Sequence, residues 1–262
     1  MVYYKTEDEI DLIRESSLLV AKTHAEIAGL IKPGVTTLAL DKIAEEFIMD
    51  NGGKPAFKDY NGFPNTLCMS PNNQIVHGIP NDKILNDGDI LSVDCGVLMN
   101  GYYGDSAFTY EVGEVDHDKK KLLKVTKDAL YKGIEMAVSG NHIGDISYAV
   151  QKYAESFGYG VVRELVGHGI GKNLHEAPEV PNYGSNGKGI LLKEGLVIAI
   201  EPMINMGGRG ILQHNDGWTI TTIDNKPSAH FEHTIVVRKE NAEILSSFKE
   251  IEKKNKWLNK KI

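Results

Sequence analysis

The sequence predicts an α+β fold of two pseudo-symmetric halves built around antiparallel strands. Two long amphipathic segments recur in the same order in each half. Glycines punctuate both copies with the same spacing, and the strand-like runs that follow carry acids inside apolar surroundings.

The helices come first. Thr6-Glu7-Asp8-Glu9 forms a capping box that starts a helix running to about Ile31, where Pro33-Gly34 ends it. A second helix is expected from about Leu38 to Asp50, stopped at Gly52. Lys119 to Val138 and Asp145 to Phe157 read the same way, stopped at Gly140 and Gly158. The strands continue the correspondence, since Gly88-Asp89-Ile90-Leu91-Ser92-Val93-Asp94 matches Gly195-Leu196-Val197-Ile198-Ala199-Ile200-Glu201 at an offset of 106 or 107 residues. The organisation expected is one domain over 1–248, with halves at about 1–115 and 116–248, followed by a basic tail at 249–262. Any site should lie between the halves.

Asn100-Gly101, flanked by strand-like runs, is a two-residue hairpin signal. A turn centred there sets Asp94 opposite Ala107 and puts Asp105 on the same sheet face as Asp94, one diagonal step away.

Five residues stand out as metal-ligand candidates: Asp94, Asp105, His168, Glu201 and Glu232. Each acid sits in or beside an apolar strand, where charge is costly unless paired. Converging without a cation, each close pair of carboxylates would repel by roughly 4 kcal/mol at an effective dielectric of about 20. Two divalent cations would balance four carboxylates. One imidazole among so many oxygens suits Mn, Fe or Co better than a structural Zn site, and the chemistry implied is metal-assisted hydrolysis.

Composition narrows the class. At 262 residues and 41% hydrophobic content the chain can bury a full core, and its net charge of -7 argues against an extended nucleic-acid footprint. No window approaches the 18 or so apolar residues of a membrane span. The acidic N-terminus lacks the apolar stretch of a signal peptide, and Cys68 and Cys95 are too few for a disulfide framework, so a cytoplasmic location is expected. Gly167-His168-Gly169-Ile170-Gly171-Lys172 suggests a phosphate loop, but Val166 and Asn173 stand where a Walker motif needs Gly and Ser or Thr. Neither HExxH nor Gly-x-Ser-x-Gly is present.

Several ordered motifs give the chain a resemblance to the type I methionine aminopeptidases over nearly its whole length, to about Leu245. They are Ile75-Val76-His77-Gly78-Ile79-Pro80, Val93-Asp94 with Asn100-Gly101-Tyr102-Tyr103-Gly104-Asp105, Gly167-His168-Gly169-Ile170-Gly171, Leu174-His175-Glu176-Ala177-Pro178, Ile200-Glu201-Pro202 and Phe231-Glu232-His233-Thr234. The short gap between Glu201 and Glu232 favours type I over type II.

The resemblance implies a pita-bread fold around a curved antiparallel sheet. It implies that the five candidates bind two divalent ions (Co, Mn, Fe, Zn or Ni), with Glu201 also shuttling a proton. His175 and His77 would hydrogen-bond the scissile carbonyl oxygen and the peptide nitrogen. Phe57, Tyr60, Phe63, Cys68, Leu174 and Trp218 would line the methionine pocket, with Phe57 and Leu174 departing from the commoner cysteine and aromatic at their positions. Also implied are removal of methionine from nascent proteins with a small second residue, a monovalent cation near Asn72, Gln74 and Ser228, and a monomer.

The basic tail reads as a solvated helix or a frayed end, with a transient ribosome contact as the alternative. His24, His117, His142 and His214 read as ordinary surface or core residues. The rival readings are a proline-specific peptidase of the same fold and a non-catalytic binding module.

Overall fold

The computed structural model describes residues 1–254. Thr6 caps α1 (Glu7–Ala28) through the expected reciprocal bonds with Glu9. The helix ends at Gly29, earlier than the expected Ile31, because the chain tightens into a turn in which Leu30 and Ile31 both bond back to the Ile27 carbonyl. After α2 (Thr37–Asp50) come β1 (Lys54–Pro55), β2 (Leu67–Pro71), β3 (Gln74–Val76), β4 (Ile90–Met99) and β5 (Tyr102–Glu111).

The second half opens with α3 (His117–Glu135) and α4 (Ile143–Glu155). Both begin about two residues before the expected starts because Asp116 and His142 are the caps, and both end two or three residues early. Then follow β6 (Gly160–Val161), β7 (Gly167–Gly169), β8 (Glu176–Val180), β9 (Val197–Ile200), β10 (Met203–Asn205), β11 (Ile211–Gln213), β12 (Ile220–Thr222), β13 (Ser228–His230), β14 (His233–Val236), β15 (Glu243–Ile244) and α5 (Lys249–Lys254).

The two halves repeat each other in backbone detail. Gly34 and Gly140 take φ of 91° and 99°, Gly52 and Gly158 take 79° and 80°, and Gly88 and Gly195 take 86° and 80°. These are left-handed conformations that favour glycine, so the repeated spacing reflects a repeated path of the chain. The hydrogen bonds repeat too: Gly34 N–H donates to Leu85 O as Gly140 N–H does to Leu192 O, and Leu85 N–H to Val35 O as Leu192 N–H to Asn141 O.

In the first half β4 is central, paired with β5 along one edge and with β2 and β1 along the other. The hairpin register is the expected one, with Asp94 opposite Ala107 and Gly96 opposite Asp105. In the second half the order is β15-β14-β9-β7-β8, with β13-β10-β6 beside it and β3 joining β12 across the halves. β5 and β14 are laced together: Thr234 Oγ1 donates to Asp105 O at 2.7 Å, Ser106 Oγ to Glu232 O at 2.7 Å, and Glu232 N–H to Ala107 O at 2.9 Å. The strands carrying four of the five candidate ligands are thereby joined or adjacent.

The expected tail needs correction in its first part. Helix α5 packs on α1 and buries Ile251, and Phe248 just before it meets Phe108 edge-on, so the body of the molecule extends past 248. Residues 255–262, with the rest of the basic run, lie outside the described residues.

Candidate active site

Asp94 stands on β4 and Asp105 on β5, both facing one way. His168 is the middle residue of β7, Glu201 follows β9 directly, and Glu232 falls between β13 and β14. The structure brings all five into a cleft of about 400 Å³, together with His77, His175, Phe57, Tyr60, Phe63, Cys68, Leu174 and Trp218.

The glycines around His168 have a packing explanation. A Cβ on Gly167 would lie 2.3 Å from Ala199 O, and one on Gly169 would lie 2.4 Å from Ala177 O. Strand β7 is squeezed between β9 and β8, and only glycine permits that approach. Phosphate binding is not the reason for the motif.

The His168 ring is set for coordination. Its Nδ1 lies 2.9 Å from the carbonyl of Gly169, so Nδ1 carries the proton and Nε2 presents a lone pair. That Nε2 faces Glu201 Oε1 at 3.5 Å and Asp105 Oδ2 at 4.0 Å. Ligand atoms of Asp105, His168 and Glu232 all lie within 4.8 Å of one another, and the Asp94 carboxyl contacts that of Asp105.

Polar satisfaction points the same way. Among the described residues, few buried side-chain polar atoms lack a hydrogen-bond partner, and Asp94 Oδ1, Asp105 Oδ1, Glu232 Oε1 and His230 Nε2 all line this cleft. Such atoms are expensive to leave unpaired, and clustering here they fit divalent cations as their missing partners.

The electrostatics agree. Burial pushes the Asp94 carboxyl up to about 7. Burial and then the neighbouring carboxylates raise Asp105, Glu201 and Glu232 well above the usual range. Cations among them would reverse that repulsion. The imidazoles move the other way: burial, then the neighbouring His175, lowers His168 to about 3 and His77 to about 4, and burial lowers His175.

His175 sits at the mouth, its Nδ1 2.8 Å from the Tyr60 hydroxyl and its ring edge-on to His168 at 4.3 Å between centroids. His77 takes φ of 57°, strained for a non-glycine residue, and stands edge-on to Trp218. Gly78 holds that kink in place, since a Cβ there would meet Met69 O at 2.1 Å. Phe63 packs edge-on against Trp218 at 5.1 Å, and with Phe57, Cys68 and Leu174 it makes the apolar wall.

Asn72 and Ser228 are joined by the Ser228 N–H donating to Asn72 O at 2.9 Å, with Gln74 nearby on β3. His24 is a core residue of the expected kind: it is fully buried, between the Tyr110 hydroxyl and Ser106 O, each at 2.9 Å. His117 is exposed, and His142 caps α4.

Sequence reasoning missed His230, Met203 and Leu165 in the cleft wall. A signal existed for the first two, because each lies two residues from a candidate ligand, Glu232 or Glu201.

Comparison with known proteins gives concordant matches. The model of metallopeptidase family M24 matches residues 11–239. Methionine aminopeptidase 1 of Bacillus subtilis is 50% identical over 246 residues, covering 94% of this chain and 99% of that protein. The methionine aminopeptidase of Clostridium acetobutylicum is 47% identical over 247 residues, with coverages of 94% and 99%. Among solved structures, methionine aminopeptidase from Rickettsia prowazekii superposes with a TM-score of 0.93 at 45% identity, covering 94% of this chain and all of that one. The prolidase from Pyrococcus furiosus shares the fold, with a TM-score of 0.75 at 24% identity over 93% of this chain and 65% of its own.

Proposed function

Since the chain belongs to the methionine aminopeptidases of metallopeptidase family M24, we propose how its residues carry out the hydrolytic removal of an N-terminal methionine. Its fold is the expected pita-bread architecture. The observation that carries the residue assignment is the convergence of four carboxylates and one oriented imidazole, several of their buried oxygens unpaired, beside an apolar pocket.

Asp94, Asp105, His168, Glu201 and Glu232 would hold two divalent ions, which when bound supply Lewis acidity and an activated water. Methionine lies against Phe57, Tyr60, Phe63, Cys68, Leu174 and Trp218, whose aromatic faces and edges suit a polarizable thioether. Burial raises the Tyr60 hydroxyl, so it stays protonated and donates to His175 Nδ1. His175 then keeps its proton on Nε2 and gives a hydrogen bond to the carbonyl oxygen as charge develops there. His77, kept neutral by burial, reaches the peptide nitrogen. Glu201 takes a proton from the attacking water and returns it to the departing amine.

The second residue of the substrate faces the carboxylate cluster and His77, and that crowding selects a small side chain. In the cell the substrates are nascent chains, the metal is one of Mn, Fe, Co, Zn or Ni, and Asn72, Gln74 and Ser228 hold a monovalent cation through backbone oxygens.

The test is release of free methionine from Met-Ala-Ser by chelator-stripped protein with Mn, Fe or Co titrated back. Release should rise with metal, vanish in Glu201→Ala and be far slower from Met-Leu-Ser. Comparable rates on the two peptides would refute the size selection, and release from the Glu201→Ala protein would refute the shuttle.

A further inference from the structure

One polar group in the cleft has no role in this scheme. His230 is fully buried, and its Nε2 has no hydrogen-bond partner. Its backbone is clamped, because the N–H donates to Thr109 Oγ1 at 3.0 Å and the carbonyl accepts from the same hydroxyl at 2.7 Å. The β13–β10 register sets it opposite Met203, two residues beyond Glu201. The ring therefore projects into the cleft from a rigid strand, and the carboxylate oxygen it faces is Glu201 Oε2, at 3.8 Å.

The two oxygens of Glu201 have different neighbours. Oε1 is 3.5 Å from His168 Nε2, the ligand nitrogen, and Oε2 faces His230. We propose that His230 is a positioning residue for Glu201, its Nε2–H donating to Oε2 so that Oε1 is kept on the His168 side. A shift of the carboxylate by under about 1 Å brings the pair to hydrogen-bond distance. The contact fixes the rotation of the carboxylate, so that the same oxygen faces the reacting peptide in every turnover. A second lone pair on Oε2 remains free for the proton that Glu201 carries. The proposal rests on the assignment of Glu201 as ligand and shuttle.

The test compares the parent with His230→Leu, which keeps volume without a donor, and His230→Gln, which keeps a donor. Chelator-stripped proteins are titrated with Co(II) alone, recording visible spectra and stoichiometry, and then assayed on Met-Ala-Ser. We expect unchanged stoichiometry in both variants, a shifted Co(II) band in His230→Leu, and a kcat about 10-fold to 100-fold lower with KM little changed. His230→Gln should recover both band and kcat. A His230→Leu spectrum superimposing on the parent's overturns the proposal even if no methionyl peptide is cleaved, which separates its failure from that of the functional reading. Full turnover in His230→Leu, or a His230→Gln protein as impaired as His230→Leu, also overturns it.

Discussion

His168 shows how a single backbone contact selects chemistry. Because Nδ1 is committed to the Gly169 carbonyl, the ring has one nitrogen left, and that nitrogen faces Asp105 and Glu201. His175, 4.3 Å away between ring centroids, has its Nδ1 committed instead to Tyr60 and stands at the mouth of the cleft. Adjacent imidazoles thus take separate orientations, one facing the carboxylates and the other at the mouth of the cleft. His175→Ala should lower kcat by about 100-fold or more while metal affinity measured by calorimetry stays near that of the parent. Equal kcat in metal-loaded variant and parent would remove His175 from the mechanism. Tyr60→Phe should show a smaller loss in the same direction, since Nδ1 loses its partner but the ring stays packed.

At the scale of elements, α1 organises the first half by binding β5 through His24, whose ring joins the Tyr110 hydroxyl and Ser106 O. Burial lowers His24 to about 4, against an ordinary value of 6.5. Between those values the unfolded chain binds a proton that the native protein does not. Stability from this site is therefore complete above about pH 6.5 and is lost as pH falls toward 4, by on the order of 3 kcal/mol. In urea titrations of metal-loaded protein, His24→Gln should flatten the fall in stability between pH 7 and pH 5 relative to the parent. Identical slopes would contradict the assignment.

The same helix also carries α5, where Ile251 is fully buried. Ile251→Ala should destabilise by about 2 to 4 kcal/mol with kcat unchanged. A loss under about 0.5 kcal/mol would mean the helix is not docked in solution.

For the whole molecule, the governing term is repulsion among four carboxylates held where two sheets meet. In the metal-free protein burial raises Asp94 to about 7, and burial with the neighbouring carboxylates raises Asp105, Glu201 and Glu232 well above ordinary acids. The sign follows: the native state binds more protons than the unfolded chain above the usual carboxylate range, so metal-free stability falls as pH rises through about 4 to 7. Divalent cations replace those protons. The rise in Tm on adding Mn(II) to chelator-stripped protein should be larger at pH 7.5 than at pH 5.5, and a pH-independent rise would show that the carboxylates are not the binding groups.

Local chemistry made much of this legible in the sequence. The Thr6 capping box, the Asn100-Gly101 turn and the paired glycines are set by steric and hydrogen-bonding preferences within a few residues, so the hairpin register of Asp94 and Asp105 could be read directly. Acids in apolar strands announced a polyvalent cation site because bare buried charge is intolerable. What only the tertiary structure decided is partnership at a distance. The docking of α5, the burial of His24 and the approach of His230 to Glu201 depend on which surfaces meet. No local propensity encodes a 3.8 Å contact between residues so far apart in sequence, because it exists only after β13 has paired with β10.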